Sequence, residues 1–95
     1  MPASRSEELP LRSGADVVKV RQVVRTWAAE IGFSLVDQTK LVTGASELAR
    51  NTLDHGRGGS VRLVMLEDGA RRGLGMTFED SGPGIADVNL ALTDG

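Results

Sequence analysis

Apolar positions in the first half of the chain recur every three to four residues, and in the second half every two. Val20, Val23, Val24, Trp27 and Ile31 follow an i, i+3, i+4 rhythm, which predicts a helix with one buried stripe, capped by Asp16 and ended by Gly32. Ser34 and Asp37 stand three apart, a capping-box-like pair, and predict a second long helix to about Asp54, where "HGRGG" at 55–59 stops it. From Ser60 the period shortens: "VRLVML" reads as a strand, "EDGARRG" as a turn with an Asp-Gly signal, and "LGMTFE" as the returning strand, with Leu74, Met76 and Phe78 on one face. Residues 1–8 read as polar and irregular, and "LPL" at 9–11 as a short edge strand at best, since Pro10 cannot donate to a ladder. "DSGPGIADVNLALTDG" predicts a loop followed by a short helix around Asp87 to Leu92. Two helices beside an antiparallel hairpin make an α+β two-layer sandwich, with the helices covering one sheet face.

Composition narrows the classes of function. Ninety-five residues, 40 % of them apolar, suffice for one domain with a modest core and leave no room for a second. The division is an N-terminal arm over 1–14 that could carry an edge strand, then one domain over 15–95. The formal charge of −2 comes from 13 acidic and 11 basic residues mixed along the chain, which gives no field suited to nucleic acid or a membrane and leaves small ligands and proteins as partners. With no cysteine and one histidine, disulfides, thiolate metal sites and His-rich sites are excluded. The first twenty residues hold no apolar run of signal-peptide or membrane-span length, so a soluble, cytoplasmic protein is expected.

Two constellations are candidates for chemistry. Glu47, Asn51 and Asp54, in "SELARNTLDHG", have spacings of four and three that put them on one face of the second helix, away from Leu41, Ala45, Leu48 and Thr52. Read from this helix alone, an ordinary solvated face accounts for them more simply. Asn51 weakens that reading, because an asparagine amide competes for backbone hydrogen bonds inside a helix; fraying near the helix end is the competing reason for it. The second constellation is "EDSGPGIAD" at 79–87, which in isolation is a glycine-proline turn capped by Asp80.

Together the two carry more. A helix with Glu-x-x-x-Asn, then a hairpin, then a strand ending in Asp-x-Gly-x-Gly-Ile is the order of the N-box and first glycine box, and in this the sequence resembles the GHKL (HATPase) superfamily of ATPases and kinases. "ADVVKVRQVVRTWAAEIGFSLVDQTKLVTGASELARNTL" and "GLGMTFEDSGPGIADVNLALTDG" look like the RsbT type of serine/threonine protein kinase, over nearly the whole chain from about Ala15. The resemblance implies a Bergerat-type ATP-binding fold with ATP or ADP and Mg²⁺ between helix and sheet. By the same likeness Asn51 is the metal ligand, its neutral amide oxygen suited to a hard cation beside a triphosphate. Glu47 matches the catalytic general base that orients and helps deprotonate a partner's serine or threonine hydroxyl. Asp80 matches the adenine reader, accepting from the exocyclic amine that guanine lacks at that position. Gly82, Gly84 and Ile85 belong to the nucleotide-binding loop, where glycines let the backbone approach the ring and Pro83 stiffens the link.

The implied function is that of a switch kinase in a bacterial stressosome module, a signal-transduction transferase acting on STAS-domain scaffold or antagonist proteins and activating a partner phosphatase. An RsbW-type anti-sigma factor is the alternative, and the segments "VRQVVR" and "VDQTKL" favour the first. A sensor histidine kinase fragment lacks support, since nothing resembles its dimerisation helices or histidine box, and an interaction domain without nucleotide is a further reading. Family members continue past the final "DG" into a second glycine-rich box, a lid over the triphosphate, and then further helix and strand. The chain is therefore expected to be a fragment of a longer kinase rather than a short paralogue that keeps only partner binding, weak in nucleotide binding and poor in transfer. Its uncovered sheet edge and apolar face imply a homodimer.

Overall fold

The computed structural model describes residues 3–55 and 57–80 in full and the backbone of 85–92. The elements are β1 (Ala3–Leu11), α1 (Gly14–Ile31), α2 (Leu35–Asp54), β2 (Gly59–Asp68), β3 (Arg71–Asp80) and β4 (Ile85–Leu92). The strands form one antiparallel sheet in the order β1-β2-β3-β4. Alternate residues on three of them are buried: Leu9 and Leu11, then Val61, Leu63 and Met65, then Leu74, Met76 and Phe78. These face the apolar stripes of both helices, so the two-layer α+β sandwich is as expected.

Each helix starts and stops for a local reason. In α1 the cap is Ser13, not Asp16: the Asp16 amide donates to the Ser13 hydroxyl at 3.3 Å, and the Asp16 carboxylate accepts from the Arg12 amide at 2.8 Å. Asp16 thus serves in the first turn of a capping arrangement that begins three residues earlier. Gly32, at φ 105°, ends the helix by donating to the carbonyls of Ala28 and Ala29, a left-handed conformation that glycine takes without steric cost. Ser34 caps α2 as its spacing predicts, accepting from the Asp37 amide at 3.1 Å. The β2–β3 hairpin closes through Gly69 and Ala70 with Gly69 at φ 62°, which fits a two-residue turn with glycine at the first central position.

Both ends of the chain depart from the expectation. Residues 3–8 are not irregular: they continue "LPL" into a nine-residue edge strand paired with β2 from Ala3↔Leu66 to Leu11↔Gly59. Its polar outer half is held to α1 by Arg5, whose guanidinium lies 4.5 Å from the centroid of the Trp27 ring and 3.0 Å from the Glu30 carboxylate. The short helix expected around Asp87 to Leu92 is the strand β4, in register with β3 from Glu79↔Ile85 to Arg72↔Leu92. Two causes favour it: Val88, Leu90 and Leu92 alternate at period two, and the outer edge of β3 would otherwise leave a row of backbone groups unpaired. Among the described residues the outer strands of the sheet are β1 and β4. No helix among the described residues is long and apolar enough to cross a membrane.

Candidate nucleotide site

The helical half of the site is presented by the last three turns of α2. Leu41, Val42, Ala45, Ala49 and Thr52 are buried, whereas Glu47, Asn51 and Asp54 are exposed, so the polar face inferred from periodicity is the solvent face. Polar side chains on the inner side spend their hydroxyls on the helix itself, Ser46 on the Val42 carbonyl and Thr52 on the Leu48 carbonyl, each at 2.8 Å. Glu47 and Asn51 do not: among the described residues neither side chain has a hydrogen-bond or ion-pair partner. Standing one turn apart, a carboxylate and a carboxamide present oxygen donors in the same direction. Asp54 diverges from them, lining a cleft with Gly14 and Arg21 of α1, which agrees with its reading as a surface aspartate. His55 is the C-cap residue, its amide donating to the Asn51 carbonyl at 2.9 Å.

The sheet half is the end of β3. Asp80 is half-buried and two residues beyond Phe78, which puts it on the helix-covered side of the sheet, while Glu79 lines a cleft on the opposite side with Glu8, Arg62 and Thr77. Gly82 and Gly84 lie outside the described residues, and of Ile85 only the backbone is described, as the first residue of β4 opposite Glu79.

What joins the two halves is a short closure that sequence reasoning treated only as a helix stop. Arg57 (φ 60°) and Gly58 (φ 92°) turn the chain, and the Gly58 amide donates to the Thr52 carbonyl at 3.1 Å. Gly59 then pairs with Leu11 on one side and Asp80 on the other. A Cβ on Gly59 would collide with the Glu79 carbonyl oxygen and lie 2.7 Å from the Asp80 Cα. The missing side chain at 59 therefore lets the end of β3 approach β2 closely, so that Asp80 stands beside the turn that follows α2. Gly59→Ala is expected to cost about 2–3 kcal/mol by forcing β2 and β3 apart where both are fixed backbone. Urea unfolding checks it, and a loss below 0.5 kcal/mol would show that the strands separate freely here.

The donors at this end fit a nucleotide and a hard cation. They are oxygens, from Glu47, Asn51 and Asp80, and among the described residues no group of three or more His, Cys, Asp or Glu side chains forms a metal-binding cluster of its own. One amide oxygen on a helix is suited to a cation that takes most of its ligands from phosphates and water.

A Glu-x-x-x-Asn helix laid over an antiparallel sheet, with an aspartate at the end of its third strand, is the arrangement of one class of ATP-binding domain. The chain belongs to the histidine kinase-like ATPase family: residues 11–95 match the model of the histidine kinase-like ATPase domain. Within that class it is similar to the serine/threonine-protein kinase RsbT of Bacillus subtilis (strain 168), 40% identical over 80 residues. That match takes in 84% of this chain and 60% of the length of the relative. The resemblance to the RsbT type read from the sequence is thereby borne out. No solved structure matches the chain.

Proposed function

We infer that the chain forms the nucleotide-binding part of an ATP-dependent protein serine/threonine kinase of the RsbT type. The observation that supports this reading is the Gly58–Gly59 closure, which ties the Thr52 carbonyl, one residue beyond Asn51, to the strand position paired with Asp80. Bound Mg-ATP would supply the phosphoryl group and the charge neutralisation that its transfer requires. Asp80 would accept a hydrogen bond from the exocyclic amine of adenine and so select the base. Asn51 would hold the metal ion through its amide oxygen, and Gly82, Gly84 and Ile85 would, by likeness of sequence, belong to the nucleotide-binding loop. Among the described residues Glu47 has no hydrogen-bond or ion-pair partner, so its carboxylate can orient the hydroxyl of an incoming serine or threonine and take up the proton. The target class is a STAS-domain scaffold or antagonist protein in a stress-response partner switch, with a phosphatase as the second partner; pairing of two chains through an open sheet edge would make the protein a homodimer.

Calorimetric titration tests the reading. Mg-ADP is expected to bind at one site per chain while Mg-GDP gives no heat, and in a complete kinase of this type Glu47→Ala is expected to keep the Mg-ADP affinity within about twofold while lowering phosphate transfer to a STAS-domain protein by a factor of about 100 or more. Absence of heat with Mg-ADP, or equal binding of both nucleotides, would remove the assignment.

A further inference from the structure

The outer seam between the two helices holds a second constellation, with no part in nucleotide chemistry. Two clefts of about 260 and 270 Å³ adjoin there, sharing Val18 and Arg21, so they form one continuous groove along the α1–α2 boundary. Arg21 and Arg25 flank it from α1 and Arg50 from α2, over apolar surface from Val18, Val42 and Leu53. Among the described residues none of the three arginines has an ion-pair partner. Arg21 and Arg25 also stand at i and i+4, where like charges repel, so the pair is a feature that helix stability does not favour. Val18 is 47% exposed although it lies beside the buried Val17, leaving apolar surface within reach of the guanidinium groups.

A groove with cations on both walls and an apolar floor suits an acidic amphipathic segment. Guanidinium pairs carboxylates bidentately, and two arginines one turn apart match carboxylates one turn apart on a partner helix, whose apolar residues would then meet Val18 and Leu53. In a chain of net charge −2 this is a local reversal of sign, which gives the groove selectivity for an acidic partner. Asp54 lines one end of the groove and would repel a carboxylate there, fixing the direction in which the segment lies. We propose that the α1–α2 groove is a docking site for an acidic, amphipathic helical segment of a partner protein, held by Arg21, Arg25 and Arg50. Docking there does not rest on the nucleotide reading and proceeds with or without Mg-ADP.

The test uses the full 95-residue chain and a synthetic amphipathic helical peptide with glutamates recurring at i and i+4 beside a leucine stripe. Its addition is expected to shift the backbone amide resonances of Val18, Arg21, Arg25 and Leu53, and the affinity is expected to fall at least tenfold when Arg21→Gln and Arg25→Gln are combined, or when the peptide's glutamates are replaced by glutamine. Both arginines are exposed, so the double variant is expected to melt near the parent; if it melts early, the single variants carry the test, each expected to weaken binding threefold or more. The proposal is overturned if millimolar peptide moves none of these amides, or if the variants bind as the parent does. It is equally overturned if vesicles of phosphatidylserine and phosphatidylcholine or single-stranded DNA bind the groove as tightly as the peptide, or if the groove proves to join two copies of this chain, seen as a dimer lost in the double variant.

Discussion

Trp27→Ala is expected to destabilise the domain by about 3–5 kcal/mol, a large part of what a domain of this size has. Trp27 is the largest of the fully buried side chains, at 1% exposure, and it sits where the helical layer meets the edge strand. Its loss removes apolar surface that the small core cannot replace and leaves a cavity that backbone on either side prevents from closing. It also removes the ring beneath the Arg5 guanidinium, 4.5 Å from its centroid, and with it a contact that ties the outer half of β1 to α1. The midpoint of urea unfolding should fall by about 1–5 M, given slopes of about 1–3 kcal/mol per molar for small domains. Trp27→Phe keeps a ring for Arg5 and should lose clearly less. An alanine variant within 1 kcal/mol of the parent would mean that the core is organised around other side chains.

Helices and hairpin were legible because their signals are local. A buried stripe at 3.6-residue spacing, a serine three before an aspartate, and an Asp-Gly between alternating strands each lie within a few residues of the structure they dictate. β1 was only partly legible. Its inner face has two core residues, Leu9 and Leu11, and its outer half is held by the ladder to β2 and by Arg5 on a tryptophan 22 positions later, which no local pattern reveals. β4 was misread because a short segment with two leucines and an aspartate fits a helix start, whereas the deciding factor is the unpaired edge of β3. In the site, the residue types and their order along the chain were legible; Glu47, Asn51 and Asp54 were assigned to the solvent face by periodicity alone, and all three are exposed. Gly59 was not recognised as part of it. Its significance is a backbone contact with Glu79 and Asp80, set by strand register rather than by anything in the "HGRGG" stretch itself.

Asp80→Asn is expected to lower the affinity for Mg-ADP about 100-fold. A carboxylate that accepts from the adenine amine loses its charge on becoming an amide, and hydrogen bonds to charged groups contribute about 1.5–3 kcal/mol each, or roughly 10- to 150-fold. The amide can also turn its own N–H₂ toward the adenine amine, opposing donor to donor, which a truncated side chain cannot do. Asp80→Ala therefore makes the sharper comparison: asparagine should bind Mg-ADP no better than alanine, although it matches aspartate in shape. Since Asp80 is half-buried at the end of β3 and lies against Gly59, melting curves are needed for both variants. A variant that melts with the parent and has lost nucleotide reports on recognition of the base rather than on the fold. If Asp80→Asn melts with the parent and binds Mg-ADP as tightly, the carboxylate does not read adenine, and the end of β3 is aligned beside α2 for packing alone.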